Sequence, residues 1–151
     1  MITIESEVEM KAFGARLGAV LTGGEVIELV GDVGAGKTTL TKGIAEGMGV
    51  SETVQSPSFT ISRVYDDTGT GLRLAHYDFY RLHDAGIMAD ELQETAQDSQ
   101  TVTIIEWADI VTGVLPDDRL TVTIVSPTEL SRHIDLQATG PASQRLAGVL
   151  V

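Results

Sequence analysis

The segment Gly31-Asp32-Val33-Gly34-Ala35-Gly36-Lys37-Thr38 constrains this chain most, because a G-x-x-x-x-G-K-[ST] phosphate loop works only between a strand and a helix. Both neighbours are legible. The apolar run Val26-Ile27-Glu28-Leu29-Val30 reads as the strand, and Leu40, Ile44 and Met48 recur at a four-residue step, as on the buried face of a helix. Glycines at 31, 34 and 36 let the backbone curl without Cβ clashes, so that successive N–H groups point inward as a nest. The helix beginning near Lys37 adds the positive end of its dipole. Anionic phosphate oxygens suit such a place, which makes Gly31, Asp32, Val33, Gly34, Ala35, Gly36, Lys37, Thr38 and Thr39 the candidate binding residues. Lys37 is expected to reach the β- and γ-phosphates, and the Thr38 hydroxyl to ligate a Mg²⁺ that keeps water and phosphate as its other ligands.

A length of 151 residues and a hydrophobic content of 42% suit one domain with a proper core, expected over residues 1–151. No basic, apolar leader opens the chain, and no apolar run approaches the roughly 18 residues of a membrane span. A cytoplasmic protein without a membrane segment is therefore expected. Zero cysteines exclude disulfides and thiolate metal sites. A formal charge of −12, from 22 acidic and 10 basic residues, argues against direct wrapping of nucleic acid, which uses a basic stripe for counterion release. Any link to RNA should run through a partner. The acidity serves solubility or a basic protein partner.

Along the chain, Ser6 and Glu9 resemble a capping box, and Val8, Ala12, Ala15, Leu17 and Val20 give a helical stripe over about residues 6–21. Gly47 and Gly49 are expected to close the helix after the phosphate loop. Ser56-Pro57-Ser58-Phe59-Thr60 opens a predicted strand running through Tyr65, and the turn Asp66–Gly71 sends the chain back as a hairpin. On the returning strand Leu72, Leu74, His76, Asp78 and Tyr80 share one face, and Arg73, Ala75, Tyr77 and Phe79 the other. A short helix is predicted over Asp84–Glu94, a buried strand over Val102–Ile105, and a last hairpin with arms at about Arg119–Val125 and Arg132–Ala138. The tail from Gly140 carries no clear signal. A strand–loop–helix unit followed by hairpins implies an α/β fold, a P-loop NTPase-like sandwich whose central sheet is mixed and partly antiparallel. The nucleotide belongs at the carboxyl ends of its strands.

Hydrolysis needs acids as well as a phosphate cradle. Glu106 ends the Val102–Ile105 run and is the candidate Mg²⁺-side carboxylate, directly or through water, the alternative being a solvated strand-end glutamate. Asp78, in His76-Tyr77-Asp78-Phe79-Tyr80-Arg81, could orient water or hold metal-bound water, or serve as a partner for Arg81 or as a backbone cap. His76 reads as a packed, hydrogen-bonded histidine before it reads as a catalyst. Thr60 lies in a loop that could swing toward the γ-phosphate as switch segments do. Trp107 reads as a packing residue or a partner contact.

Taken together, Gly31–Leu40, Ser56-Pro57-Ser58-Phe59-Thr60, His76-Tyr77-Asp78-Phe79-Tyr80-Arg81-Leu82 and Ile105-Glu106-Trp107 resemble the TsaE family, also called YjeE, over about residues 26–110. The phosphate loop alone is generic; the other three segments make the resemblance specific. It implies a small Mg²⁺-dependent ATPase, binding ATP and ADP, that serves threonylcarbamoyladenosine formation in bacterial tRNA. The implied partner is the TsaB–TsaD complex, which transfers threonylcarbamoyl to the adenosine beside the anticodon; the ATPase is an accessory to that transfer. By motif, Lys37 holds phosphate, Thr38 and Glu106 serve the metal, Thr60 is switch-like, and Asp78 and Trp107 are functionally sensitive. The resemblance also implies adenine between the N-terminal segment and the final hairpin, which makes Ser6 and Arg132 candidates, with a helix cap and a solvated arginine as the plainer roles.

Two other classes stay in view. A small-metabolite kinase would want arginines clustered on a lid, whereas the seven arginines are scattered singly. A nucleotide-gated binding module with negligible turnover would carry the same phosphate loop. No Asn-Lys-x-Asp guanine-reading segment follows Glu106, so adenine is the expected base.

Overall fold

The computed structural model describes residues 1–57, 61–80, 82–84 and 86–151. Among them a sheet of seven strands carries the chain: β1 (Ile2–Ile4), β2 (Val26–Val30), β3 (Ser62–Tyr65), β4 (Arg73–Asp78), β5 (Thr101–Glu106), β6 (Leu120–Val125) and β7 (Arg132–Ala138). Their spatial order is β1-β7-β6-β2-β5-β4-β3. The central run β6-β2-β5-β4 is parallel, and β3, β7 and β1 join antiparallel, so the sheet is mixed as its hairpins imply. Parallel strands are buried on both faces, and period-two alternation divides them. Ile27, Leu29, Leu74, Val102 and Ile104 face one apolar cluster; Val26, Ala75, Tyr77 and Ile105 face a second.

The helices are α1 (Glu7–Ala19), α2 (Lys37–Gly47), α3 (Ile87–Gln97) and α4 (Pro141–Leu150), with a 3₁₀ segment at Ala108–Val114. α1, α2 and α4 bury Phe13, Leu17, Leu40, Ile44, Leu146 and Leu150 in the first cluster, while α3 and the 3₁₀ segment bury Leu92, Ala96 and Val111 in the second. None of the helices among the described residues is long and apolar enough to cross a membrane.

Several boundaries depart from the sequence expectation. The buried face of α1 is Met10, Phe13, Gly14, Leu17 and Gly18, so of the expected stripe only Leu17 is buried, and Val8 is 79% exposed. The reason is glycine. A Cβ at Gly14 would stand 2.5 Å from the Leu40 carbonyl oxygen, and methyls at Gly18, Gly43 and Gly47 would overlap the carbonyl oxygens of Ile44, Lys11 and Ala15. Backbone therefore lies on backbone where α1 crosses α2, and a hydrophobicity pattern does not register residues that contribute contact by lacking a side chain. Gly47 for the same reason belongs inside α2, and the left-handed turn that ends it is Gly49, at φ +87°.

The strand predicted from Ser56 begins only at Ser62, because Ile61, at φ +69°, leaves the extended region. Residues 58–60 of that expectation, Thr60 included, lie outside the described residues. α3 begins at Ile87 rather than Asp84. The short edge strand β1, the 3₁₀ segment and α4 were not expected. α4 carried usable signals, with Pro141 at its first turn and Leu146 and Leu150 four residues apart.

Candidate functional site

The parallel strands end together, and their carboxyl edge gathers the chemistry. Glu106 pairs in register with Leu29 of β2 on one side and Asp78 of β4 on the other, so both acids emerge beside the loop that follows β2. A cleft of about 840 Å³ opens there. Val33, Gly34, Ala35, Gly36, Lys37, Thr38 and Thr39 form its floor, and Asp78, Tyr80, Glu106 and Trp107 one wall. The opposite wall joins Glu5, Ser6, Glu7 and Met10 to Glu129, Leu130 and Arg132 of the β6–β7 turn. Gly31 and Asp32 stand outside the lining. The Gly31 carbonyl accepts from Lys37 Nζ at 2.5 Å, and the Asp32 carbonyl accepts from the Ala35 amide at 3.0 Å.

The loop has the conformation a nest requires. Gly34 and Gly36 sit at φ +83° and +115°, and a Cβ on Gly34 would meet nothing within 4 Å, leaving an open cradle. Lys37 is 6% exposed, and its ammonium lies 4.1 Å from the centroid of the Trp107 ring. Burial pulls its pKa below 10.5, against the opposing pull of the Glu106, Asp78 and Asp32 carboxylates. Trp107 is itself held at φ +57°, with Tyr80 at 4.7 Å between ring centroids. Sequence reasoning treated Trp107 as a packing or partner residue; here its indole covers the phosphate-loop lysine, and its position directly after Glu106 was the available signal.

The acids differ in their ties. Asp78 Oδ1 accepts from the Tyr80 amide at 2.9 Å and Oδ2 accepts from the Ser56 hydroxyl at 3.5 Å, so it is a backbone cap while also lining the cleft. Glu106 is 3% exposed, which rules out a solvated strand-end residue, and its Oε2 lies 2.5 Å from His76 Nε2. His76 is fully buried, and its Nδ1 has no hydrogen-bond partner among the described residues. An orphaned buried polar atom costs about 1–3 kcal/mol.

Ser6 caps α1, accepting from the Glu9 amide at 3.1 Å, while Glu9 Oε2 reaches back to the Glu5 amide at 2.7 Å. Arg132 is not a solvated arginine. Its guanidinium donates to the Ala35 carbonyl at 2.9 Å and the Gly34 carbonyl at 3.4 Å, and to the Thr128, Glu129 and Ser131 carbonyls. It ties the β6–β7 turn to the phosphate loop and helps turn that loop's carbonyls away from the cradle.

Among the described residues no group of three or more His, Cys, Asp or Glu side chains forms a metal cage. The donors nearest the anion cradle are instead hydroxyls, Thr38 among them, and separate carboxylates. Hard oxygen donors in so small a number fit Mg²⁺, which keeps waters and takes phosphate oxygens as ligands.

The chain is similar to known proteins in sequence and in fold. The family model described as "Threonylcarbamoyl adenosine biosynthesis protein TsaE" matches residues 4–134. The tRNA threonylcarbamoyladenosine biosynthesis protein TsaE of Bacillus subtilis (strain 168) is 40% identical over 136 residues, covering 87% of this chain and 81% of its own. That of Streptomyces coelicolor is 40% identical over 115 residues, covering 76% and 78%. The crystal structure of YdiB from Bacillus subtilis superposes with a TM-score of 0.81 at 34% identity, covering 99% of this chain and 91% of that one. With a family model matching residues 4–134 and relatives 40% identical over most of its length, the chain belongs to the TsaE family of threonylcarbamoyl adenosine biosynthesis proteins.

Proposed function

We propose that this chain is a slow, Mg²⁺-dependent ATPase of the cytoplasm that serves TsaB–TsaD in threonylcarbamoylation of the adenosine beside the tRNA anticodon. One observation carries the reading: Lys37, Thr38, Asp78 and Glu106 converge on a single cleft floored by the phosphate loop. Residues 33–39 cradle the phosphates, and Lys37 exchanges its contact with Trp107 for the β- and γ-phosphates. Thr38 and Glu106 hold the Mg²⁺, whose charge offsets that of the phosphate oxygens. Asp78 orients the attacking water, and Thr60 is the switch residue that senses the γ-phosphate. The adenine lies between the start of α1, at Ser6, and the β6–β7 turn beside Arg132. An acidic chain with a net charge of −12 approaches tRNA only through its protein partners.

The test is ATP turnover measured alone and with TsaB–TsaD, for the wild type and Glu106→Ala. Slow turnover alone, acceleration by the partners, and a loss of about 100-fold or more in the variant are expected. Phosphate transfer to an added metabolite would identify a kinase instead, and partners that neither bind nor change turnover would end the accessory reading.

A separate expectation concerns the loop's shape. Arg132→Ala removes the tie to the Gly34 and Ala35 carbonyls while burying nothing new. ATP affinity should fall about tenfold, equivalent to about 1.4 kcal/mol, as read by calorimetric titration. Unchanged affinity would mean that the loop holds its shape without the hairpin.

A further inference from the structure

The geometry points to His76 as the positioning residue that fixes the Glu106 carboxylate for metal, a role that rests on the reading of Glu106 as a Mg²⁺-side acid. His76 stands two residues before Asp78 on β4 and in register with Ile104, two residues before Glu106 on the neighbouring strand. The Glu106 side chain leans back to meet it, with Nε2 and Oε2 2.5 Å apart.

The orphaned nitrogen says which way that bond runs. Among the described residues Nδ1 is buried without an acceptor or donor, so a proton there would be stranded, whereas a proton on Nε2 is received by the carboxylate. His76 is therefore the Nε2–H tautomer and donates. This donation engages one Glu106 oxygen and fixes the plane of the group, leaving the carboxylate at the cleft wall with its second oxygen available. A residue present only to fill the sheet face between Leu74 and Asp78 needs no polar atom, and an aliphatic side chain there would leave no orphan. Second partners of this kind orient metal-binding groups in many proteins. The Lys37 ammonium also feels the Glu106 carboxylate.

The readout is the factor by which Mg²⁺ tightens ADP binding, taken from calorimetric titrations with and without Mg²⁺, alongside the melting temperature of each unliganded protein. Wild type, Glu106→Gln, His76→Leu, His76→Asn and His76→Gln are compared. Glutamine carries an amide N–H where Nε2 stands and should retain most of the Mg²⁺ factor. Asparagine, too short to reach Glu106, and leucine should each lose it about tenfold, and adding His76→Leu to Glu106→Gln should cost nothing more. The asparagine and glutamine pair decides the matter if the leucine variant does not fold. A wild-type Mg²⁺ factor in His76→Asn, or asparagine and glutamine behaving alike, overturns the positioning role and makes His76 a packing residue. A wild-type factor in Glu106→Gln instead overturns the reading of Glu106 itself, and the role of His76 with it.

Discussion

Gly18→Val is expected to lower the melting temperature by about 6–12 °C. The expectation follows from where the new atoms must go. A Cβ at Gly18 overlaps the Ile44 carbonyl oxygen, and backbone cannot rotate away as a side chain can. Separating α1 from α2 would also loosen the neighbouring contacts of Gly14, Gly43 and Gly47, which rest on the same close approach. Overpacking of this sort costs about 3 kcal/mol, and each kcal/mol moves the midpoint of a chain this size by about 2–4 °C. Gly148→Ala is the matching control. That glycine lies on α4 with nothing within 4 Å of an added Cβ, so alanine should stabilise by about 0.5–1 kcal/mol through helix propensity. Calorimetric melting of both variants is the measurement, and a Gly18→Val midpoint within 2 °C of wild type, as a rough bound, would falsify the account of the helix contact.

The consequence reaches the cleft. Ser6 caps α1 and Glu7 and Met10 lie in its first turns, while Lys37, Thr38 and Thr39 start α2, so the glycine contact holds the two sides of the cleft at a fixed separation. That arrangement was only half legible. The phosphate loop announced β2 and α2 because each of its residue types has one physical use, and the Val102–Ile105 run announced β5 because a strand buried on both faces has few other compositions. Gly14 and Gly18 were invisible to the same reasoning, since their contribution depends on residues 26 or more positions later, in a helix that also has glycine at the crossing. The candidate site shows the same division. Asp78 and Glu106 could be proposed from their strand ends, but the contact of Trp107 with Lys37 and of Arg132 with the loop carbonyls needs the register of β4, β5 and β7, which only the assembled sheet supplies.

Lys37→Met is expected to weaken ATP binding by at least about 100-fold, equivalent to about 2.7 kcal/mol, while leaving the fold as stable as before or more so. The first half follows from charge: the ammonium is the cationic group at the floor of the cleft, and the acids Asp78 and Glu106 beside it otherwise repel polyphosphate. The second half follows from burial. A Lys37 pKa pulled below 10.5 means that the folded chain holds that proton less tightly than the unfolded chain does. Through the interval between the lowered value and 10.5, folding stability therefore rises with pH, and Lys37→Met should remove that rise. Methionine fills much the same volume without a charge to desolvate, so function and stability separate in opposite directions, as they do at sites kept for binding. Trp107, the single tryptophan of the chain, provides the optical check. Phosphates that draw the ammonium from its place 4.1 Å from the indole should change the emission of the wild type, and the same ATP addition should leave Lys37→Met unchanged. If instead the methionine variant binds ATP as wild type does, the lysine is a buried structural cation and the phosphates lie elsewhere; if it unfolds, the contacts of Lys37 with Gly31 and Trp107 outweigh the cost of its burial.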